Sequence, residues 1–110
     1  MSIPVAFQYL NEMNEKGASD LYLTVNRPPT IRVDDNLFEI APEPLGVDEI
    51  NDVIYNILTP KQRRDFELKW ELNTSLDVGK YGRFRVNIMR QRQNPGLVIR
   101  RVISTIPAIA

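Results

Sequence analysis

A chain of 110 residues, 43% hydrophobic and 25% charged, has the length and composition of one globular domain with a single core. It has no cysteine and no histidine, which excludes disulfides, thiolate and His–metal sites, His-containing triads and His-based proton transfer. Its 14 basic and 14 acidic residues cancel, but not evenly: residues 1–78 hold every acid and half of the bases, and residues 79–110 hold the other seven bases and no acid.

Ser2 to Lys16 reads as a helix. Ser2 can cap it, Pro4 suits its first turn, and Ile3, Phe7, Leu10 and Met13 form one apolar stripe. Gly17 is a natural stop. Leu21, Leu23 and Val25 alternate with Tyr22 and Thr24 as a strand, which Arg27-Pro28-Pro29 breaks. Thr30 to Val33 and Leu37 to Ile40 make two further short strands around an Asp34-Asp35-Asn36 turn, and residues 41–46 form a loop. Val47, Ile50, Val53, Ile54, Ile57 and Leu58 have helical spacing, with Asp48 and Glu49 in the first turn where negative charge suits the dipole. Thr59-Pro60-Lys61-Gln62 opens the next helix, whose stripe is thin: Phe66 and Trp70, four apart. Leu72, Thr74, Leu76 and Val78 alternate as a fourth strand, and a Gly79–Gly82 turn follows.

The stretch from Gly79 to Ile103 is then a hairpin carrying Arg83, Arg85, Arg90, Arg92, Arg100 and Arg101. Phe84, Val86 and Ile88 point one way and Arg83, Arg85 and Asn87 the other. Asn94-Pro95-Gly96 has turn chemistry. On the return strand Leu97, Ile99 and Ile103 face the core, so Arg100 joins Arg85 outside. Arg101 falls inward and must sit at an edge or snorkel. Such a ribbon serves as a solvated polar face or as a surface for anions; six arginines with no acid in the same segment favour anions, because guanidinium is a planar fork that suits phosphate oxygens. By parity neither Arg85 nor Arg100 is needed for folding.

The order α-β-β-β-α-α-β-β-β, with short loops between successive strands and helices grouped apart, predicts an α+β fold: a PAS-like antiparallel sheet with helices packed on one face. Residues 1–110 read as a single domain. No catalytic residue and no metal ligand set stands out. The sequence has no Gly-rich phosphate loop with its lysine and no nucleophile elbow. Ser19 and Asp20 read as local hydrogen-bonders at a helix-to-strand turn, and Glu67 and Glu71 as a solvated helix face. No apolar run approaches the roughly 18 residues of a membrane span, and no secretory leader is visible, so a cytoplasmic location is expected.

Five segments in order, Gly17-Ala18-Ser19-Asp20-Leu21-Tyr22-Leu23, Pro28-Pro29 with Ile31-Arg32-Val33-Asp34, Gln62-Arg63-Arg64-Asp65-Phe66, Gly82-Arg83-Phe84-Arg85-Val86-Asn87 and Val98-Ile99-Arg100-Arg101, resemble the N-terminal domain of the PilT/PilU type of twitching-motility ATPase, within the secretion-ATPase superfamily. The resemblance spans residues 3–107. Tyr22 stands where the family often has histidine, and Asp35 where a turn glycine is usual. Walker A, Walker B and the family's Asp- and His-boxes are not among the 110 residues, so the ATPase domain is absent from this chain.

The resemblance implies a parent protein that is a homo-hexameric motor retracting type IV pili, with ATP and Mg²⁺ bound outside this domain and no cofactor within it. It implies packing of this domain on the ATPase domain of a neighbouring subunit, contact with pilus machinery at the inner membrane, and a cytoplasmic, membrane-peripheral location without membrane insertion. It also implies that two arginines meet the neighbour's nucleotide in trans, Arg85 and Arg100; it does not fix which others help, Arg83 and Arg92 among them. Two other classes fit the residues: a free-standing module using the basic hairpin on nucleic acid, and a PAS-type small-ligand sensor. The hairpin's outer face shows no aromatic interleaved for base stacking, so no specific nucleic acid is expected.

Overall fold

The computed structural model describes residues 5–77, 79, 82–91 and 94–102. The expectations for Ser2, Pro4, Val78, Arg92 and Ile103 fall outside them.

Three helices, α1 (Val5–Lys16), α2 (Val47–Ile57) and α3 (Pro60–Lys69), accompany six strands: β1 (Asp20–Thr24), β2 (Thr30–Val33), β3 (Asn36–Glu39), β4 (Glu71–Asp77), β5 (Arg83–Gln91) and β6 (Asn94–Val102). The strands form one antiparallel sheet in the order β3-β2-β1-β6-β5-β4. The predicted order and the α+β, PAS-like class are those observed. The first and last strands of the chain, β1 and β6, meet at the sheet's centre.

Local chemistry explains the boundaries. Gly17 adopts φ 67°, Ala18 N–H donates to the Met13 carbonyl at 2.8 Å and Gly17 N–H to that of Asn14 at 3.3 Å. That bond pair is a Schellman stop, which needs a residue free to enter the left-handed region. Thr59 and Gln62 bond reciprocally: Gln62 N–H to Thr59 Oγ1 at 3.2 Å, and Thr59 N–H to Gln62 Oε1 at 3.0 Å, with Pro60 in the first turn. The β2–β3 turn places Asp34 at φ 50° and Asp35 at φ 68° between the paired Val33 and Asn36. Two left-handed residues match the twist of a two-residue hairpin, and aspartate tolerates that conformation, so the turn forms without glycine.

Two expectations need correction. Asn94-Pro95-Gly96 is not the hairpin turn: Gln91 pairs with Asn94, Arg90 with Pro95 and Met89 with Gly96, so these residues begin β6. The Arg90 N–H is directed to the Trp70 carbonyl at 2.9 Å, on the β4 side. Pro95 therefore faces a position where no donor is required of it, and a proline is tolerated there. Trp70 does not extend the Phe66 stripe. It leaves the helix at φ 61° and is 50% exposed, because helical spacing lapses once the backbone turns left-handed.

One layer of side chains fills the space between sheet and helices. Leu10 and Met13 from α1, Ile50, Val53, Ile54 and Ile57 from α2, and Phe66 from α3 pack on Leu21, Leu23, Ile31, Phe84, Val86, Ile88, Leu97 and Ile99. All three helices thus contribute to one side, and the outward residues of β1, β2, β4, β5 and β6 form the uncovered face. Among the described residues no helix is long and apolar enough to cross a membrane.

Candidate functional site

The uncovered face carries a charged row of cross-strand partners running over five strands, Arg32, Asp20, Arg100, Arg85 and Ser75, beside an uncharged row of Thr30, Tyr22, Val98, Asn87 and Asn73. Residues directly opposite in register share a face and stand about 4.5–5.5 Å apart at Cβ. The charged row therefore reads plus, minus, plus, plus, neutral. The pairing of Arg85 with Arg100 bears out the parity argument that put these two on one face, and the register makes them direct partners.

Their surroundings differ. The Arg100 Nε donates to Asp20 Oδ1 at 3.1 Å. Arg32 approaches the other oxygen, its Nε 3.7 Å from Asp20 Oδ2, an ion-pair distance beyond hydrogen-bond range. Tyr22 O–H donates to the same Oδ2 at 3.2 Å, and the Arg32 guanidinium lies 5.8 Å from the Tyr22 ring centroid. Partial burial, and secondarily the Asp20 charge, raise the Tyr22 hydroxyl above its ordinary pKa. Arg85 is exposed and makes no ion pair with any described residue. A shallow concavity runs beside the row, lined by Tyr22, Asn73, Ser75, Arg85, Asn87 and Arg100.

The other hairpin arginines are placed differently. Arg83 shares the uncovered face but pairs with Asp77 at 3.5 Å. Arg90 has the inward parity and lies against α3, bonding Glu67 through both terminal nitrogens at 3.0 and 3.1 Å, its guanidinium 4.9 Å from the Phe66 ring centroid. That bidentate bond is the main reason the Glu67 carboxyl is held below the usual range and Arg90 above its own. Arg101 is half-buried opposite Phe84, as the inward parity required; its Nε is buried with no hydrogen-bond partner among the described residues. Arg92 lies outside them.

Three inferences from the sequence change. The charge segregation along the chain is partly undone in space, since Asp20, Glu67 and Asp77 from the acidic part neutralise Arg100, Arg90 and Arg83. Glu67 is exposed on its helix, as expected, but it also anchors Arg90 as an ion pair. Asp20 is more than a local hydrogen-bonder: the single Ser19 hydroxyl proton is shared between the Arg32 carbonyl at 3.4 Å and Asp20 at 3.5 Å, but Asp20 is also the acid between two arginines. Sequence reasoning missed Asp20 and Arg32 as members of the row, and Tyr22 as the neighbour that bonds Asp20. The signal was available, because inward Leu21 and Leu23 place Asp20 and Tyr22 outward. Tyr22 also puts one aromatic on this face, supplied by β1 rather than by the hairpin. No group of three or more Asp or Glu that could hold a metal occurs among the described residues.

These features define a PAS-like α+β domain whose chemistry-bearing side chains stand on its uncovered sheet face and whose helix-facing side is filled. No family model matches the chain. It is 34% identical over 100 residues to the type IV pilus ATPase PilU of Pseudomonas aeruginosa, covering 91% of this chain and 26% of that protein. It is 40% identical over 92 residues to the type IV pilus retraction ATPase PilT of the same organism, covering 84% and 27%. The crystal structure of the pilus retraction motor PilT with bound ADP superposes with a TM-score of 0.84 at 28% identity, covering 96% of this chain and 31% of that one. The chain thus spans about a quarter of the length of the curated relatives it matches. Sequence and fold together identify an N-terminal domain of the PilT/PilU type of secretion ATPase.

Proposed function

We propose that this chain is the subunit-contacting, nucleotide-sensing domain of a hexameric ATPase that powers type IV pilus retraction, and that Arg85 and Arg100 reach the phosphates of ATP bound at a neighbouring subunit. The observation that carries this is the Arg85–Arg100 pair. Like charges directly opposite on a sheet repel, and only Arg100 has an acid to offset the cost. Two adjacent guanidinium groups on an open surface suit a polyphosphate, whose oxygens accept from both. An arginine so placed stabilises the charge that develops during phosphoryl transfer. The relatives named as pilus ATPases, and the PilT structure holding ADP, are consistent with this role.

On this reading the 110 residues do not themselves hydrolyse ATP, and Mg²⁺ is held by residues of the parent ATPase domain. Arg83 is at most a weak helper, since Asp77 already engages it. Cytoplasmic placement beside the inner-membrane pilus machinery belongs to the same proposal. The rival reading as a nucleic-acid module loses ground because three hairpin arginines are paired internally.

The test uses the parent protein and two defective subunits, one carrying Arg85→Ala and one altered in the phosphate-loop lysine. Arginines supplied in trans are worth about 10³–10⁵ in rate, and two sharing the task should each be worth less. Mixed rings should regain ATPase activity that neither parent shows. No recovery, with mixed assembly confirmed, removes the trans role. Full activity of the Arg85→Ala, Arg100→Ala double variant removes both residues from the mechanism.

A further inference from the structure

Asp20 is a buried acid, yet it lies on the uncovered face rather than in the core. Its side chain is 7% exposed, against 68% for Arg100. Arg100, Tyr22 and Ser19 donate to its two oxygens, and Arg32 stands at ion-pair distance. The carboxylate is thus engaged from within the domain. A guanidinium has five N–H donors, and the bond to Asp20 is made through Nε. The edge formed by the two terminal nitrogens lies away from Nε in the same rigid plane, so fixing Nε also fixes the direction of that edge.

We infer that Asp20 is a positioning residue: it holds Arg100 by Nε and so presents the terminal nitrogens of Arg100, beside Arg85, to phosphate oxygens. The inference rests on the phosphate-contact reading above. Arg32 serves as the second cation on Asp20, so that the acid is not neutralised by Arg100 alone. The Tyr22 hydroxyl and Ser19 limit the directions the carboxylate can take. Without Asp20, Arg100 would face the like charge of Arg85 with no acid to draw it aside, and its long side chain would sample many rotamers. Charge counting makes the opposite forecast: deleting an acid from a cationic row should strengthen anion binding.

The experiment titrates the 110-residue chain with inorganic triphosphate and follows the arginine Nε–Hε signals by NMR. In the unaltered chain the Arg100 Nε–Hε should exchange slowly with water and persist as triphosphate binds, and Arg100→Ala should weaken binding. Asp20→Asn should lose that protection and bind severalfold more weakly, although its net charge is higher by one. Added to Arg100→Ala, it should cause little further loss, because the two residues act as one unit. Equal or tighter binding by a folded Asp20→Asn chain overturns the inference and leaves the phosphate reading standing. An Arg100 Nε–Hε exchanging as fast as free arginine does the same, and decides the matter if Asp20→Asn does not fold. No binding by the unaltered chain, or no effect of Arg100→Ala, overturns the phosphate reading and the inference with it.

Discussion

Arg90 and Arg100 sit on adjacent strands of one hairpin, yet the two faces of the sheet treat them in opposite ways. Arg90 is 14% exposed, bonded twice to Glu67 and stacked on Phe66, so both its charge and its plane are used up within the domain. Arg100 is largely exposed and held through Nε, with like-charged Arg85 opposite. The first arrangement spends an arginine on fastening α3 to β5. The second keeps one available. Side-chain parity sets the face each one takes, since a step of one residue along a strand moves a side chain to the other face, and the acids met there decide the role.

The largest effect that would sharpen this contrast is at Phe84, the inward neighbour of Arg85 and wholly buried. Phe84→Ala should cost about 3–5 kcal/mol, read as a shift in the urea midpoint. A smaller loss would mean that the helix-facing layer collapses around the gap. Arg100→Ala comes next. Parity alone made Arg100 dispensable for folding, but its removal takes a hydrogen bond from buried Asp20, and a loss of about 1–3 kcal/mol is expected. Stability unchanged within error would show that Arg32 and Tyr22 suffice for the carboxylate.

Glu67 tests the anchored side through pH. Its folded pKa is lowered, chiefly by the hydrogen bond from Arg90. The stability it contributes is therefore complete above its unfolded value and is lost as the pH falls through the lowered folded value. Because Glu67 is half exposed, the contribution should not exceed about 1 kcal/mol. The midpoints of the unaltered chain and of Glu67→Gln should differ at neutral pH and converge in acid. A gap that persists in acid would assign the effect to packing rather than to the ion pair. The smallest effect belongs to Arg85→Ala, within about 0.5 kcal/mol either way, since the side chain is exposed and repelled by its neighbour. A large destabilisation there would break the contrast, because it would give Arg85 a structural task.

Periodicity and local chemistry were enough for most of the scaffold. The Schellman stop at Gly17, the capping box from Thr59 to Gln62, the alternation of Arg83 to Met89 and the element order were all legible, because each depends on residues within a few positions of one another. Arg85 and Arg100 could be set on one face for the same reason. The hairpin turn was misplaced because proline and glycine carry turn chemistry wherever they stand, and only the register showed Pro95 facing a position that needs no donor. Which arginines remain available was decided by tertiary structure. The acids that neutralise Arg100 and Arg90 lie 80 and 23 residues away in the chain. Coulomb attraction acts through space, so a segment free of acids in sequence can be lined with them once β1 docks on β6 and α3 on β5.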